Sequence, residues 1–305
     1  EVYADRYTPV EVMRTLRKAS RHCYLLESAS QTEVWGRYSF LGYEPVMEIT
    51  CTDGYMKIRH TEVGNDEVVT KQVAHPGDTL REILKEYKSP VMEEMPPFTG
   101  GLVGYFSYDY IKYSEPKLKL GEHEDPDFRD MDLMLFDQVI AFDHYRQKVL
   151  LITGVMLDDL EKSYQKAEKK LQEMVDLIRD GEKEEFPSLK LASEIKPQFP
   201  KEKYCDMVEK AKHYIHEGDI FQVVLSNPMR AKAEGSLFDT YRVLRATNPS
   251  PYMFYFSSDD IELAGASPET LVKLEDKKLT TFPLAGTRPR GKTREEDQAL
   301  EAGLL

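Results

Sequence analysis

Residues 46–59 read VMEITCTDGYMKIR. Apolar and polar side chains alternate through Met47, Glu48, Ile49, Thr50 and Cys51, and again through Met56, Lys57, Ile58 and Arg59. Between them Asp53-Gly54 is the dipeptide of a tight hairpin turn. The pattern predicts two antiparallel strands, 46–51 and 55–59. Working outward, strands are expected at 23–26, 38–41 and 101–107, where glycines imply close backbone approach. A hairpin is expected from 133–142 and 148–153. Later strands are expected at 220–225, 252–256, 261–266, 270–274 and 279–284.

Helices are fewer. Thr8-Pro9 opens one, with Thr as cap and Pro at the first position, and Val10, Met13 and Leu16 share a face. Asp78 or Thr79 is expected to cap a second, carrying Leu80, Ile83, Leu84 and Tyr87. Leu157, Leu160, Tyr164, Ala167, Leu171, Met174 and Ile178 mark a long amphipathic helix, read as packing on its own sheet rather than on a partner helix. Tyr204 to Ile215 forms another, closed by Gly218 in a left-handed cap, and one lies near Phe238 to Leu244. Thr293 and Glu296 form a capping box for a last helix. Its apolar face is Leu300, Leu304 and Leu305, and no C-cap is expected. Mostly hairpin-joined strands with few crossover helices mean an α+β protein, with large mostly antiparallel sheets flanked by helices.

The chain has 305 residues, 41 basic and 54 acidic, for a net charge of −13. That length fits about two domains. The charged, Pro-punctuated stretch 181–200 is read as a linker between residues 1–180 and 201–305. A hydrophobic content of 41% excludes wholesale disorder. No run reaches the roughly 18 apolar residues of a membrane helix, and the acidic balance argues against nucleic-acid binding by phosphate neutralisation. Cys23, Cys51 and Cys205 are far apart, and no secretory leader precedes Tyr3, so a cytoplasmic location is expected.

Common catalytic signatures are absent: no phosphate-loop, HExxH or GxSxG pattern occurs. Glu122-His123-Glu124-Asp125 has metal-ligand residue types, but its Pro-flanked acidic setting reads as a solvated loop. The run Gly286-Thr287-Arg288-Pro289-Arg290-Gly291 follows strands and precedes a capped helix. It suits a small carboxylate or phosphate, and equally a surface turn with two solvated arginines. Leu25-Leu26-Glu27-Ser28 reads as a strand end. Asn248 to Met253 reads as Pro-stiffened backbone leading into a strand, of a kind that can line a small-molecule pocket.

Together these segments resemble the component I family of anthranilate synthases, within the chorismate-utilising superfamily. The resemblance runs from about Tyr7 to the last residue. It includes Leu25 to Ser28, Gly100 to Tyr105 with Tyr108-Asp109, Gly218 to Ser226 and Asn248 to Met253. It continues through Gly265 to Glu269 and Pro283 to Gly291. The resemblance implies a large subunit converting chorismate and ammonia to anthranilate and pyruvate in tryptophan biosynthesis, with ammonia supplied from glutamine by a glutamine amidotransferase subunit. It implies Mg²⁺ bound with the substrate carboxylate. It implies that Gly286 and Thr287 contact chorismate and that Ser28, Pro251, Tyr252 and Met253 form a feedback site for L-tryptophan. The family's catalytic and metal-binding residues lie after the Gly-Thr motif, so none is expected before Leu305. A C-terminally truncated, inactive chain holding the regulatory site and one edge of the active site is therefore expected. Ala285 stands where aminodeoxychorismate synthases commonly carry a nucleophilic lysine, and alanine cannot attack. The remaining alternatives are an inactive tryptophan-binding fragment and an aminodeoxychorismate synthase.

Overall fold

The computed structural model describes residues 1–28, 36–61, 67–115, 117–118, 120, 128–283 and 286–304. Thr8 starts α1 (Pro9–Ala19) as expected: its hydroxyl accepts the Glu11 N–H at 3.2 Å, and Val12, Met13 and Leu16 are buried. The helix lies on a seven-stranded sheet in the order β1 (Val2–Tyr3), β10 (Lys148–Thr153), β9 (Gln138–Asp143), β3 (Tyr38–Tyr43), β2 (Cys23–Glu27), β15 (Tyr252–Ser257), β16 (Glu262–Ser267). A five-stranded sheet runs β6 (Val68–Gln72), β5 (Tyr55–His60), β4 (Met47–Thr52), β8 (Met131–Phe136), β7 (Gly101–Phe106). Every pairing in both sheets is antiparallel.

The two sheets face each other. Tyr24 and Phe256 of one meet Val103, Met134 and Phe136 of the other, with the Tyr24 and Phe136 rings edge-on at 4.8 Å. Outside the larger sheet, α1, α3 (Leu160–Asp180) and α5 (Phe238–Thr247) bury Met13, Leu16, Met174, Ile178, Phe238 and Tyr241. Outside the smaller sheet lie α2 (Pro76–Glu86) and a 3₁₀ segment, Tyr108–Tyr113. The glycine reading of β7 is borne out at Gly104: a Cβ there would stand 2.0 Å from the Asp132 carbonyl oxygen.

Several expectations are corrected. The stretch 133–142 is two strands in two sheets, because the chain changes sheet at Asp137. The Asp137 carbonyl accepts the Gly154 N–H at 2.7 Å and its carboxylate accepts Lys170 at 2.9 Å. Every residue of β8 and β9 is buried, so no polar alternation marked the break. Helix α2 begins at Pro76, behind His75, not at Asp78 or Thr79. Proline sets the first turn, and Asp78 instead pairs with Arg81 inside it. The long helix starts at Leu160, and Leu157 is exposed.

Residues 220–225 form no strand. Phe221 and Val224 are exposed, and no strand lies alongside among the described residues to take up the ladder. The two strands expected at 270–284 shrink to a surface hairpin, β17 (Lys273–Glu275) with β18 (Lys278–Thr280), turned by Asp276 and Lys277 at positive φ. Leu284 lies outside the described residues. Helix α6 (Arg294–Ala302) is capped by Thr293 as expected, and it does have a C-cap: the Gly303 N–H donates to the Ala299 carbonyl at 3.1 Å.

The stretch 181–200 carries β11 (Lys190–Leu191) and β12 (Lys196–Pro197). They pair with β14 (Ala233–Glu234) and β13 (Met229–Arg230), which lie beyond α4 (Lys201–Glu217). Gly218 closes α4 at φ 86°, as expected. The boundary read at 181–200 therefore falls between elements that share a sheet: β15 and β16, from the later part, extend the sheet of β2.

Candidate functional site

Strand β2 ends at Glu27 with Ser28 just beyond it, and β15 begins at Tyr252. Antiparallel pairing sets Glu27 opposite Met253, so Ser28 leaves the end of β2 on the side where Pro251 and Tyr252 enter β15. The fold thus brings the end of β2, with Ser28, to Pro251, Tyr252 and Met253, more than 220 positions later in sequence. Ser28 Oγ is buried and has no hydrogen-bond partner among the described residues. A buried hydroxyl without a partner costs about 1–3 kcal/mol, which a ligand's polar group can recover. The Tyr252 hydroxyl meets Thr270 Oγ1. Met253 is turned into the core, 1% exposed, where its sulfur accepts from Ser250 Oγ at 3.3 Å. Its side chain therefore holds the Ser250–Tyr252 backbone in place rather than presenting a free apolar wall.

Sequence reasoning missed the cluster beside this site. The buried Glu27 carboxylate accepts the Tyr241 hydroxyl at 2.6 Å, Ser39 Oγ at 3.2 Å, and Arg245 Nε and Nη2 at 2.8 and 3.0 Å. Burial first, then the Glu27 charge, raises the Tyr241 phenol well above its ordinary pKa, so it stays a donor. Ser39 has one hydroxyl proton. Giving it to Glu27 leaves the oxygen to accept from His144 Nε2 at 2.8 Å, which assigns the imidazole proton to Nε2. Tyr241 and Arg245 are one helical turn apart on α5, and that i, i+4 pair was the one signal in the sequence. The start of α5 is fixed in turn by Glu262 on β16, which accepts Ser236 Oγ at 2.6 Å and the Leu237 N–H at 3.0 Å. Next to Arg245 opens a cavity of about 580 Å³ lined by Tyr7, Phe142, His144, Gln147 and Arg242 among others.

Gly286 and Thr287 lie elsewhere, exposed and in irregular backbone before α6. Arg290 is taken up by Asp297 at 2.5 and 2.9 Å, and the Gly291 N–H also donates to Asp297. Ala285 and the Glu122 to Asp125 run lie outside the described residues.

A family model described as chorismate binding enzyme matches residues 21–305. The chain belongs to that family. Among its relatives, the anthranilate synthase component 1 of Acetivibrio thermocellus is 35% identical over 313 residues, covering 100% of this chain and 62% of that protein. The Aquifex aeolicus protein of the same name is 36% identical over 319 residues, with the same shares. A crystal structure of anthranilate synthase component I from Streptococcus pneumoniae superposes with a TM-score of 0.70 at 34% identity, covering 88% of this chain and 57% of that one. The α+β fold with large antiparallel sheets is therefore the component I fold. This chorismate-binding family member spans about three-fifths of the length of the curated relatives it matches. Among its described residues no helix is long and apolar enough to cross a membrane.

Proposed function

We propose that this chain is part of an anthranilate synthase large subunit and carries that subunit's tryptophan-sensing site. The complete subunit would add ammonia to chorismate at C2 with loss of the 4-hydroxyl, then eliminate pyruvate to give anthranilate. The ammonia would come from glutamine through a glutamine amidotransferase partner. Membership of the chorismate-binding family and the shared name of the relatives support this reading. The single observation that carries the regulatory half is Ser28 Oγ, buried and without a partner among the described residues, one residue beyond the Glu27–Met253 pair. Its hydroxyl would bond the amino acid's polar end, and Pro251 and Tyr252 would border the indole.

Gly286 and Thr287 would contact chorismate. The Mg²⁺ the family implies does not fit the residues present around them. On α6, Asp297 is committed to Arg290 and Glu296 to the Lys292 N–H, and no set of oxygen ligands gathers beside Thr287 among the described residues. The exposed setting of Gly286 and Thr287 favours a second reading, in which this polypeptide alone binds tryptophan without turning chorismate over.

Titration calorimetry with L-tryptophan tests the proposal. Binding is expected in the unmodified chain, weakened about tenfold or more in Ser28→Ala, since a hydrogen bond to a charged group contributes about 1.5–3 kcal/mol. Absence of binding at millimolar tryptophan, or a Ser28→Ala chain that binds equally well, would refute it. Chorismate with ammonia and Mg²⁺ should yield no fluorescent anthranilate from the chain alone.

A further inference from the structure

A second cluster lies at the seam between the two sheets, built from neither the tryptophan nor the chorismate residues. His22 immediately precedes β2, Glu48 lies on β4 of the other sheet, and Asp259 sits in the turn joining β15 to β16. His22 Nε2 is 3.1 Å from Glu48 Oε1 and 3.5 Å from Asp259 Oδ2, and the three ligand atoms lie within 4.8 Å of one another. Zinc bound tetrahedrally through nitrogen and oxygen at about 2.0–2.1 Å separates its ligands by about 3.3–3.4 Å; the two imidazole–carboxylate edges, 3.1 and 3.5 Å, bracket that length, and the carboxylate–carboxylate edge, within 4.8 Å, closes as the exposed Asp259 side chain swings onto the metal. The cluster borders a cavity of about 200 Å³, room for water as a fourth ligand.

Charge points the same way. The cavity is lined by four carboxylates, Glu48, Asp132, Asp259 and Asp260, and three permanent cations, Lys57, Arg59 and Arg129. Arg129 is committed to Asp132 and Asp260. Arg59 grips both oxygens of Glu48 at 2.6–2.7 Å but reaches Asp259 only at 3.4 Å. One guanidinium thus serves two carboxylates, and Asp259 has the weaker share.

We infer that His22, Glu48 and Asp259 form a binding site for a zinc-class divalent cation that ties the two sheets together. Glu48 keeps Arg59 as an outer partner, because each carboxylate oxygen has a lone pair to spare. Asp259, with 57% of its side chain exposed, exchanges its long contact with Arg59 for the metal. The imidazole ligand selects against Mg²⁺, which demands oxygen, so the site is separate in chemistry from the Mg²⁺ of the proposed reaction.

The full chain is treated with EDTA and titrated with Zn²⁺, Co²⁺ or Mg²⁺. Melting temperature and the visible Co²⁺ absorption are followed. Zn²⁺ should raise the melting temperature by a few degrees, because a ligand that binds only the folded state stabilises it. Co²⁺ should give the intense bands of a tetrahedral site, and Mg²⁺ neither effect. His22→Ala and Asp259→Asn should each weaken Zn²⁺ binding by more than about tenfold. The double variant His213→Ala/His216→Ala should leave it unchanged, since its imidazoles stand on the exposed face of α4. No Zn²⁺ shift in the unmodified chain, a shift equalled by Mg²⁺, or one retained in both site variants would overturn the inference.

Discussion

Replacing Arg245 by alanine strands the Glu27 carboxylate. Breaking a fully buried ion pair from one side costs about 3–5 kcal/mol. Two features reduce that figure here. The Arg245 side chain is 41% exposed, so water can follow it out. The Tyr241 and Ser39 hydroxyls remain as donors. Two charge-assisted hydrogen bonds are still lost to a carboxylate only 4% exposed. The expected loss is therefore about 2 kcal/mol. Arg242→Ala is the internal control. It lies one turn earlier on the same helix, half-exposed and paired with Asp239 three residues before it on the surface of α5, and should cost less than about 0.5 kcal/mol. Urea unfolding followed by circular dichroism measures both, with an unchanged m-value as the check that only stability moved. Adding Glu27→Gln to Arg245→Ala should recover part of the loss, because a neutral amide needs no counter-charge. An Arg245→Ala chain no less stable than Arg242→Ala would refute the claim that this ion pair clamps α5 to the end of β2.

Gly104→Ala should destabilise by about 1–3 kcal/mol or more, measured by the same unfolding curves, since its Cβ would collide with the Asp132 carbonyl; Gly218→Ala, where nothing lies within 4 Å, should show only the smaller cost of its left-handed backbone. Acid should weaken the fold through Asp143. Burial opposes its ionisation, but the Arg37 guanidinium and the Arg146 and Tyr145 N–H groups outweigh it and hold its pKa below the usual aspartate value. A lowered folded pKa gives stability that is complete above the unfolded value of about 3.9 and is lost as pH falls through the folded one. Asp143→Asn should thus lower the urea midpoint at pH 7 and flatten its decline below pH 4; an equal decline in both chains would refute the assignment.

Local chemistry was legible in the sequence. Thr8 and Thr293 cap helices because their hydroxyls meet N–H groups three residues on, and that needs no distant partner. Asp53-Gly54 turns β4 into β5 for the same reason, both residues adopting positive φ. Alternation told which residues of a strand share a face. The resemblance named the residues proposed for tryptophan and chorismate binding without their geometry.

What alternation cannot tell is which strand lies alongside, because a ladder is made by backbone groups that every residue carries alike. Residues 220–225 show this. They have strand-like composition, and no neighbour among the described residues provides a ladder. The stretch 133–142 shows the converse: full burial on both sheets hid the change of sheet at Asp137. Glu27 is the clearest case. It reads as a polar strand end in sequence, yet Arg245, 218 positions away, and Tyr241, 214 positions away, enclose it. Only the tertiary structure makes it a buried anion, since burial and charge compensation depend on what the rest of the chain places around a residue. His22, Glu48 and Asp259 follow the same rule: three unremarkable residues in sequence become one constellation where two sheets meet.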